Sequence, residues 1–128
     1  MRLKNFSLNI GTQIFKACAD ESRLRILHLI YMNGEMCISD LEQILEFTQT
    51  KTSRHLQYLK NSGILGSRKY NQWVFYSLKD EVQEIIKQLI QFLQKDQLLV
   101  KDQEVYQTLL SNRELAAANH QIKEWLKQ

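Results

Sequence analysis

The chain has 128 residues, 44% of them apolar and 24% charged, with a formal charge of +3. That profile argues against a disordered chain, and no stretch approaches the roughly 18 consecutive apolar residues that a membrane span needs. It suits one folded unit with a modest core. The absence of Pro and a total of only four Gly favour long helices. Met1 to Phe15 lacks the apolar stretch and small-residue cleavage pattern of a secretory signal. A cytoplasmic location is therefore expected, with Cys18 and Cys37 reduced.

Taken in chain order, residues 8–19 read as a first helix, with Leu8, Ile14, Phe15 and Ala19 as inward positions. Asp20 and Ser22 offer helix-start chemistry for a second, about Glu21 to Met32. Its apolar side carries Leu24, Leu27 and Tyr31, with Ile26 and Ile30 beside them, and Asn33-Gly34 stops it. Ser39-Asp40-Leu41-Glu42 has the spacing of a capping box and predicts a short third helix bearing Leu41, Ile44 and Leu45. Thr48 can cap a fourth, about Gln49 to Ser62. There Thr52, Leu56 and Leu59 point one way, and Thr50, Lys51, Ser53, Arg54, Gln57 and Tyr58 the other. Ile64 to Tyr70 and Trp73 to Leu78, rich in aromatic and β-branched residues, read as a hairpin turning at Asn71-Gln72. A wide apolar stripe follows at Val82, Ile85, Ile86, Leu89, Ile90, Phe92 and Leu93. It continues beyond a break near Lys95-Asp96 through Leu98, Leu99, Val105, Tyr106, Leu109 and Leu110. Leu115, Ala118, Ile122 and Trp125 keep helical spacing in the tail.

Charge is segregated along this plan. The 33 residues from Phe47 to Lys79 contain six Lys and Arg and no Asp or Glu, which leaves the remainder at −3. A basic amphipathic helix followed by a basic hairpin suits a polyphosphate, because Lys and Arg that neutralise phosphates release counterions. The expected fold is mainly α with a small β-hairpin: a winged helix-turn-helix dimerising through its terminal helices. Residues 1–95 would form the DNA-binding and dimerisation domain, and 96–128 a C-terminal helical extension.

Several segments resemble the ArsR/SmtB family of bacterial repressors. Ala19-Asp20-Glu21-Ser22-Arg23-Leu24-Arg25-Ile26-Leu27 is similar to the opening of that family's second helix. Glu35-Met36-Cys37-Ile38-Ser39-Asp40-Leu41 is similar to its Glu-Leu-Cys-Val-Cys-Asp-Leu segment. Thr48 to Leu56 resembles its recognition helix, Ser62-Gly63-Ile64-Leu65 the exit, and Trp73 to Leu78 the second wing strand. The similarity covers about residues 15–80. It implies a homodimeric repressor that binds a palindromic operator in double-stranded DNA and is released by an inducer. Two departures are local: Asp20-Glu21 stands where the family often has Asp-Pro, and Glu46-Phe47 where it usually has Gly.

A third departure concerns sensing. Arsenic- and cadmium-responsive members use two cysteines where this chain has Cys37 and Ser39, and a thiophilic ion wants two to four thiolates. The family's other metal site uses His and carboxylates on the dimerisation helix, and Asp80 to Lys95 holds no His. Neither metal site is intact, so no metal and no cofactor are expected. Cys18 and Cys37 remain candidates for a thiol switch or a two-thiol metalloid site, or are two buried small hydrophobes. Ser39 reads as a helix cap.

The expected DNA contacts are Gln49, Thr50, Lys51, Ser53 and Arg54 on the helix, with Arg68, Lys69, Asn71 and Gln72 on the wing. His55 borders the inward stripe, where DNA contact and packing are both open. The competing reading is a winged-helix protein-interaction module that does not bind DNA. No Gly-rich phosphate loop and no nucleophile with a neighbouring His argue for an enzyme.

Overall fold

The computed structural model describes residues 5–126, and side chains over residues 5–113. The inward positions expected at Leu115, Ala118, Ile122 and Trp125 lie outside the described side chains. Six α-helices and three strands follow one another as α1 (Leu8–Cys18), α2 (Glu21–Asn33), β1 (Glu35–Cys37), α3 (Ile38–Leu45), α4 (Gln49–Asn61), β2 (Leu65–Tyr70), β3 (Trp73–Leu78), α5 (Gln83–Leu93) and α6 (Gln97–Leu126). A 3-10 turn, Asp80–Val82, leads into α5.

Helix α2 is the axis of the molecule. Asp20 caps it, accepting a hydrogen bond from the Arg23 amide at 3.0 Å, and Gly34 ends it at a φ of +87° that disfavours a side chain. Residues Ile26 to Ile30 are buried without interruption, because α1, α4, α5, α6 and the sheet all pack around this helix. Such a segment shows little amphipathic pattern, since it has no solvent side.

The sheet has three strands, in the order β1-β3-β2, rather than the two of the expected hairpin. Antiparallel pairing of Glu35 with Ser77, Met36 with Tyr76 and Cys37 with Phe75 adds the short β1. This pairing also overturns the expected capping box. It keeps the chain extended as far as Cys37, so α3 begins at Ile38 and Cys37 occupies the cap position without a side-chain bond. Ser39 falls inside the first turn, its Oγ 3.2 Å from the Cys37 Sγ. The inward residues expected on α3 hold: Leu41, Ile44 and Leu45 are all buried. The helix ends at Glu46, which takes a left-handed φ of 57°.

Helix α1 is rotated from its expected phase. Ile14, Ala17 and Cys18 face the core, spaced three and four apart as one helical face requires. Leu8 and Phe15 are 88% and 57% exposed, and Ala19 is exposed too. On α5, Ile86 and Ile90 are buried with Val82 before them, while Phe92 is 85% exposed. The chain breaks after Leu93 as expected, and Asp96 Oδ1 accepts from the Leu98 amide to start α6. Leu99 is buried, and Tyr106 and Leu109 pack against the core.

Three polar contacts fasten α6 across α2 and α3. Arg25 meets Asp102 through two bonds of 2.9 Å. The side-chain amides of Asn33 and Gln103 exchange bonds, both at 2.9 Å. Arg113 forks onto Asp40 in the first turn of α3.

Candidate nucleic-acid interface

Helix α4 is built as expected. Thr48 caps it, accepting from the Lys51 amide at 3.1 Å, a contact that stabilises such a helix by about 1 kcal/mol. Thr52, Leu56 and Leu59 are fully buried, and Thr52 Oγ1 donates to the Thr48 carbonyl at 2.9 Å. The inward face anchors the helix on α2 and α3. The outward face presents Gln49, Thr50, Ser53, Arg54, Gln57 and Tyr58 to solvent, with Lys51 half-buried at its edge. Among the described residues, neither Lys51 nor Arg54 has an ion-pair partner.

His55 does not join that exposed row. It is 7% exposed and faces inward. Burial lowers its pKa from 6.5; Asp20 opposes that, while Arg23, Arg54 and Lys51 add to it. The imidazole is thus held toward its neutral form, on the inward side of the helix.

The wing follows directly. Lys60 near the end of α4 donates to Ser67 Oγ on β2 at 2.9 Å, joining helix to hairpin. Arg68, Lys69, Asn71 and Gln72 are all exposed at the hairpin tip. Asn71 turns the chain with a φ of 55°, a conformation Asn tolerates better than most residues.

Arg68 differs from the expected free cation. Its guanidinium forks onto Glu35 at 2.7 and 2.6 Å and lies over the Phe75 ring. The Arg68 hydrogen bonds hold the Glu35 carboxyl below its ordinary pKa. β1 therefore carries an acid from outside the acid-free segment to the wing. Lys69 has no such partner among the described residues.

Two braces went unseen in the sequence. Arg23 donates to the Ala17 carbonyl at 2.7 Å and lies 4.1 Å above the Tyr58 ring, tying the α1–α2 turn to α4. Phe47 lies under Lys51 at 3.9 Å and beside Arg25 at 5.4 Å. The Phe47-to-Lys51 spacing of four residues, across the cap of a basic helix, was the signal available for the second.

The two thiols are both free and buried, Cys18 in α1 and Cys37 at the start of α3. Burial raises the Cys18 pKa above 9.0, with Arg23 opposing. Among the described residues no three His, Cys, Asp or Glu gather as a metal site. None of the described helices is long and apolar enough to cross a membrane.

The short helix α3 packed on a capped, outward-facing basic helix α4, with an adjoining hairpin, defines a winged helix-turn-helix. Residues 20–67 match the model of the arsR family of bacterial regulatory proteins. The chain is 46% identical over 69 residues to the arsenic resistance transcriptional regulator ArsR1 of Pseudomonas putida, covering 54% of each chain. The chain thus spans about half the length of that curated relative. HlyU from Vibrio cholerae superposes with a TM-score of 0.62 at 34% identity, over 68% of this chain and 97% of that one. A homodimeric winged helix-turn-helix DNA-binding domain from Mycobacterium bovis superposes at 0.61 with 25% identity, over 71% and 83%. The chain belongs to the ArsR family of helix-turn-helix regulators.

Proposed function

We propose that this chain is a DNA-binding transcriptional repressor of the ArsR type, acting as a homodimer on a palindromic operator and leaving it when an inducer binds. The observation that carries this reading is the outward face of α4. It joins short polar side chains to cations that have no acidic partner among the described residues. Solvated helix faces ordinarily mix both signs.

In this reading α4 enters the major groove. Thr50, Ser53 and Arg54 meet base edges, and Gln49 and Lys51 meet phosphates near the helix start. Lys69, Asn71 and Gln72 extend the contact along the backbone, and Arg68 contributes only by leaving Glu35. The exposed apolar residues Leu8 and Phe15 of α1 and Phe92 and Leu93 of α5 support dimerisation through those helices. A two-fold pair would set its recognition helices about 34–36 Å apart, one turn of DNA. Residues 1–95 would then carry DNA binding and dimerisation, and 96–128 a helical extension; the site of action is cytoplasmic.

The sensor candidates are Cys18 and Cys37. Burial opposes thiolate formation at Cys18; Cys37, also buried, sits at the start of α3 beside Ser39. If Cys18→Ser and Cys37→Ser both leave induction in cells unchanged, neither thiol is the sensor.

The reading is tested by a mobility-shift titration of the chain on duplex DNA from upstream of its own gene. Saturable binding that weakens with salt and exceeds binding to a scrambled duplex is expected. Equal or absent binding to both would favour a protein-interaction module instead.

A further inference from the structure

The turn before α4 places one aromatic ring between two cations of different kinds. Phe47 is half-buried, packed against the core. Lys51 Nζ lies 3.9 Å from its centroid, and the Arg25 guanidinium 5.4 Å from it. Arg25 is in turn held by Asp102, whose carboxylate accepts two bonds of 2.9 Å and is 2% exposed. A continuous series of contacts therefore runs from α6 through α2 and the turn to the first turn of the basic helix.

The charges along this series explain its order. Two cations beside one ring repel each other unless one is balanced. Asp102 balances Arg25, so Lys51 is the ammonium left with net charge at the ring. The quadrupole of the ring attracts an ammonium at its face. It fixes a side chain that would otherwise sample many rotamers, so the entropy lost in ordering the lysine is met before a phosphate arrives.

We propose that Phe47 is a positioning residue for DNA binding: its ring, braced by the Arg25–Asp102 pair, pre-orients Lys51 toward the phosphate backbone. This rests on the reading of α4 as the DNA-facing helix. The lysine keeps its three donors, and the ring restricts where they point. The same ring lets α6, an element apart from the proposed DNA face, bear on a residue of that face.

The test uses the full chain and a labelled mixed-sequence duplex at low salt, since phosphate contacts do not depend on sequence. Phe47→Leu retains the apolar packing and removes the ring; Phe47→Tyr retains both. Phe47→Leu is expected to weaken binding by about two- to five-fold, the scale of an exposed cation–π contact, and Phe47→Tyr to bind like the unchanged chain. In a Lys51→Ala background, Phe47→Leu should add no further loss. Loss of the same size in both backgrounds, or none in either, overturns the proposal, because a role confined to folding would be independent of Lys51.

A readout without DNA separates the two levels of inference. The Lys51 ε-methylene proton signals should be shifted upfield by the ring and return to their ordinary position in Phe47→Leu. No upfield shift overturns the positioning role even where DNA is bound. An unchanged chain that ignores the duplex while showing the shift overturns the DNA reading, and with it the purpose assigned to the ring.

Discussion

On α4, Lys51 and Arg54 have no ion-pair partner among the described residues, whereas in the seam between α2 and α6 Arg25 is forked onto Asp102 at 2.9 Å. Arg113 and Asp40 repeat the second arrangement where α6 crosses α3. The two regions use the same chemistry for opposite ends. A guanidinium whose acid is supplied by the fold fastens one helix to another. A cation left without an acid on an exposed face, whose backing is apolar, is available to a partner. What separates them is the long-range placement of carboxylates, not the cations themselves.

The largest effect expected from breaking this contrast is on stability in the seam. Asp102→Ala leaves the Arg25 guanidinium, 18% exposed on its side chain, without its partner. Removing one member of a fully buried pair costs about 3–5 kcal/mol, and the partial exposure of Arg25 puts the cost here below that range, so a denaturant titration should still show a clear drop in midpoint. By contrast, Thr50→Ala, Ser53→Ala and Arg54→Ala on the outward face of α4 should each change stability by less than about 0.5 kcal/mol. A loss of similar size at Arg54→Ala would mean that the α4 face is structural after all.

The wing sharpens the comparison, because Arg68 belongs to the proposed contact surface but is paired like a seam residue. Arg68→Ala should lower duplex affinity less than Lys69→Ala does. Glu35→Gln should raise it by about two- to five-fold by releasing a cation to the DNA; one more neutralised phosphate would also steepen the salt slope by about 0.9. Weaker binding by Glu35→Gln would show that the pair positions the wing rather than masking it.

The smallest effect concerns pH. His28 is 2% exposed, its Nδ1 is buried without a partner among the described residues, and burial lowers its pKa from 6.5, with Asp102 opposing. The unfolded chain therefore takes up a proton at a pH where folded His28 does not. Stability rises with pH wherever the unfolded state binds more protons, so it should fall as pH drops below the ordinary His value. His55 shifts the same way. Asp20 adds a loss at lower pH. Burial pushes its carboxyl up, but the Arg23 amide and guanidinium together pull it below its ordinary value. Thermal melts from neutral to mildly acidic pH should show the decline, and His28→Gln should flatten it.

Much of the site was legible because its signals are local. Asp20 and Thr48 are caps a few residues from the amides they bind, and Thr52, Leu56 and Leu59 repeat at helical spacing. The acid-free segment was also visible, yet it did not amount to an acid-free surface. Strand β1 has three residues, too few for a period to register, and only its pairing with β3 carries Glu35 to Arg68. The same pairing moved the start of α3 and made Ser39 something other than a cap. On α1, Leu8 and Phe15 looked inward because apolar residues outnumber the places a short helix can bury; their exposure suits a dimer face. Phe47 stood out as a departure from the family's glycine, but its link to Arg25 and Asp102 depends on contacts across 77 residues of sequence between the latter two.

The most direct measurement is the salt dependence of duplex affinity for the unchanged chain and for Lys51→Ala with Arg54→Ala. The double variant should stay folded, bind at least about tenfold more weakly at low salt, and show a slope shallower by about 0.9, one phosphate contact fewer at Lys51. An unchanged affinity and slope in a folded double variant would contradict the account.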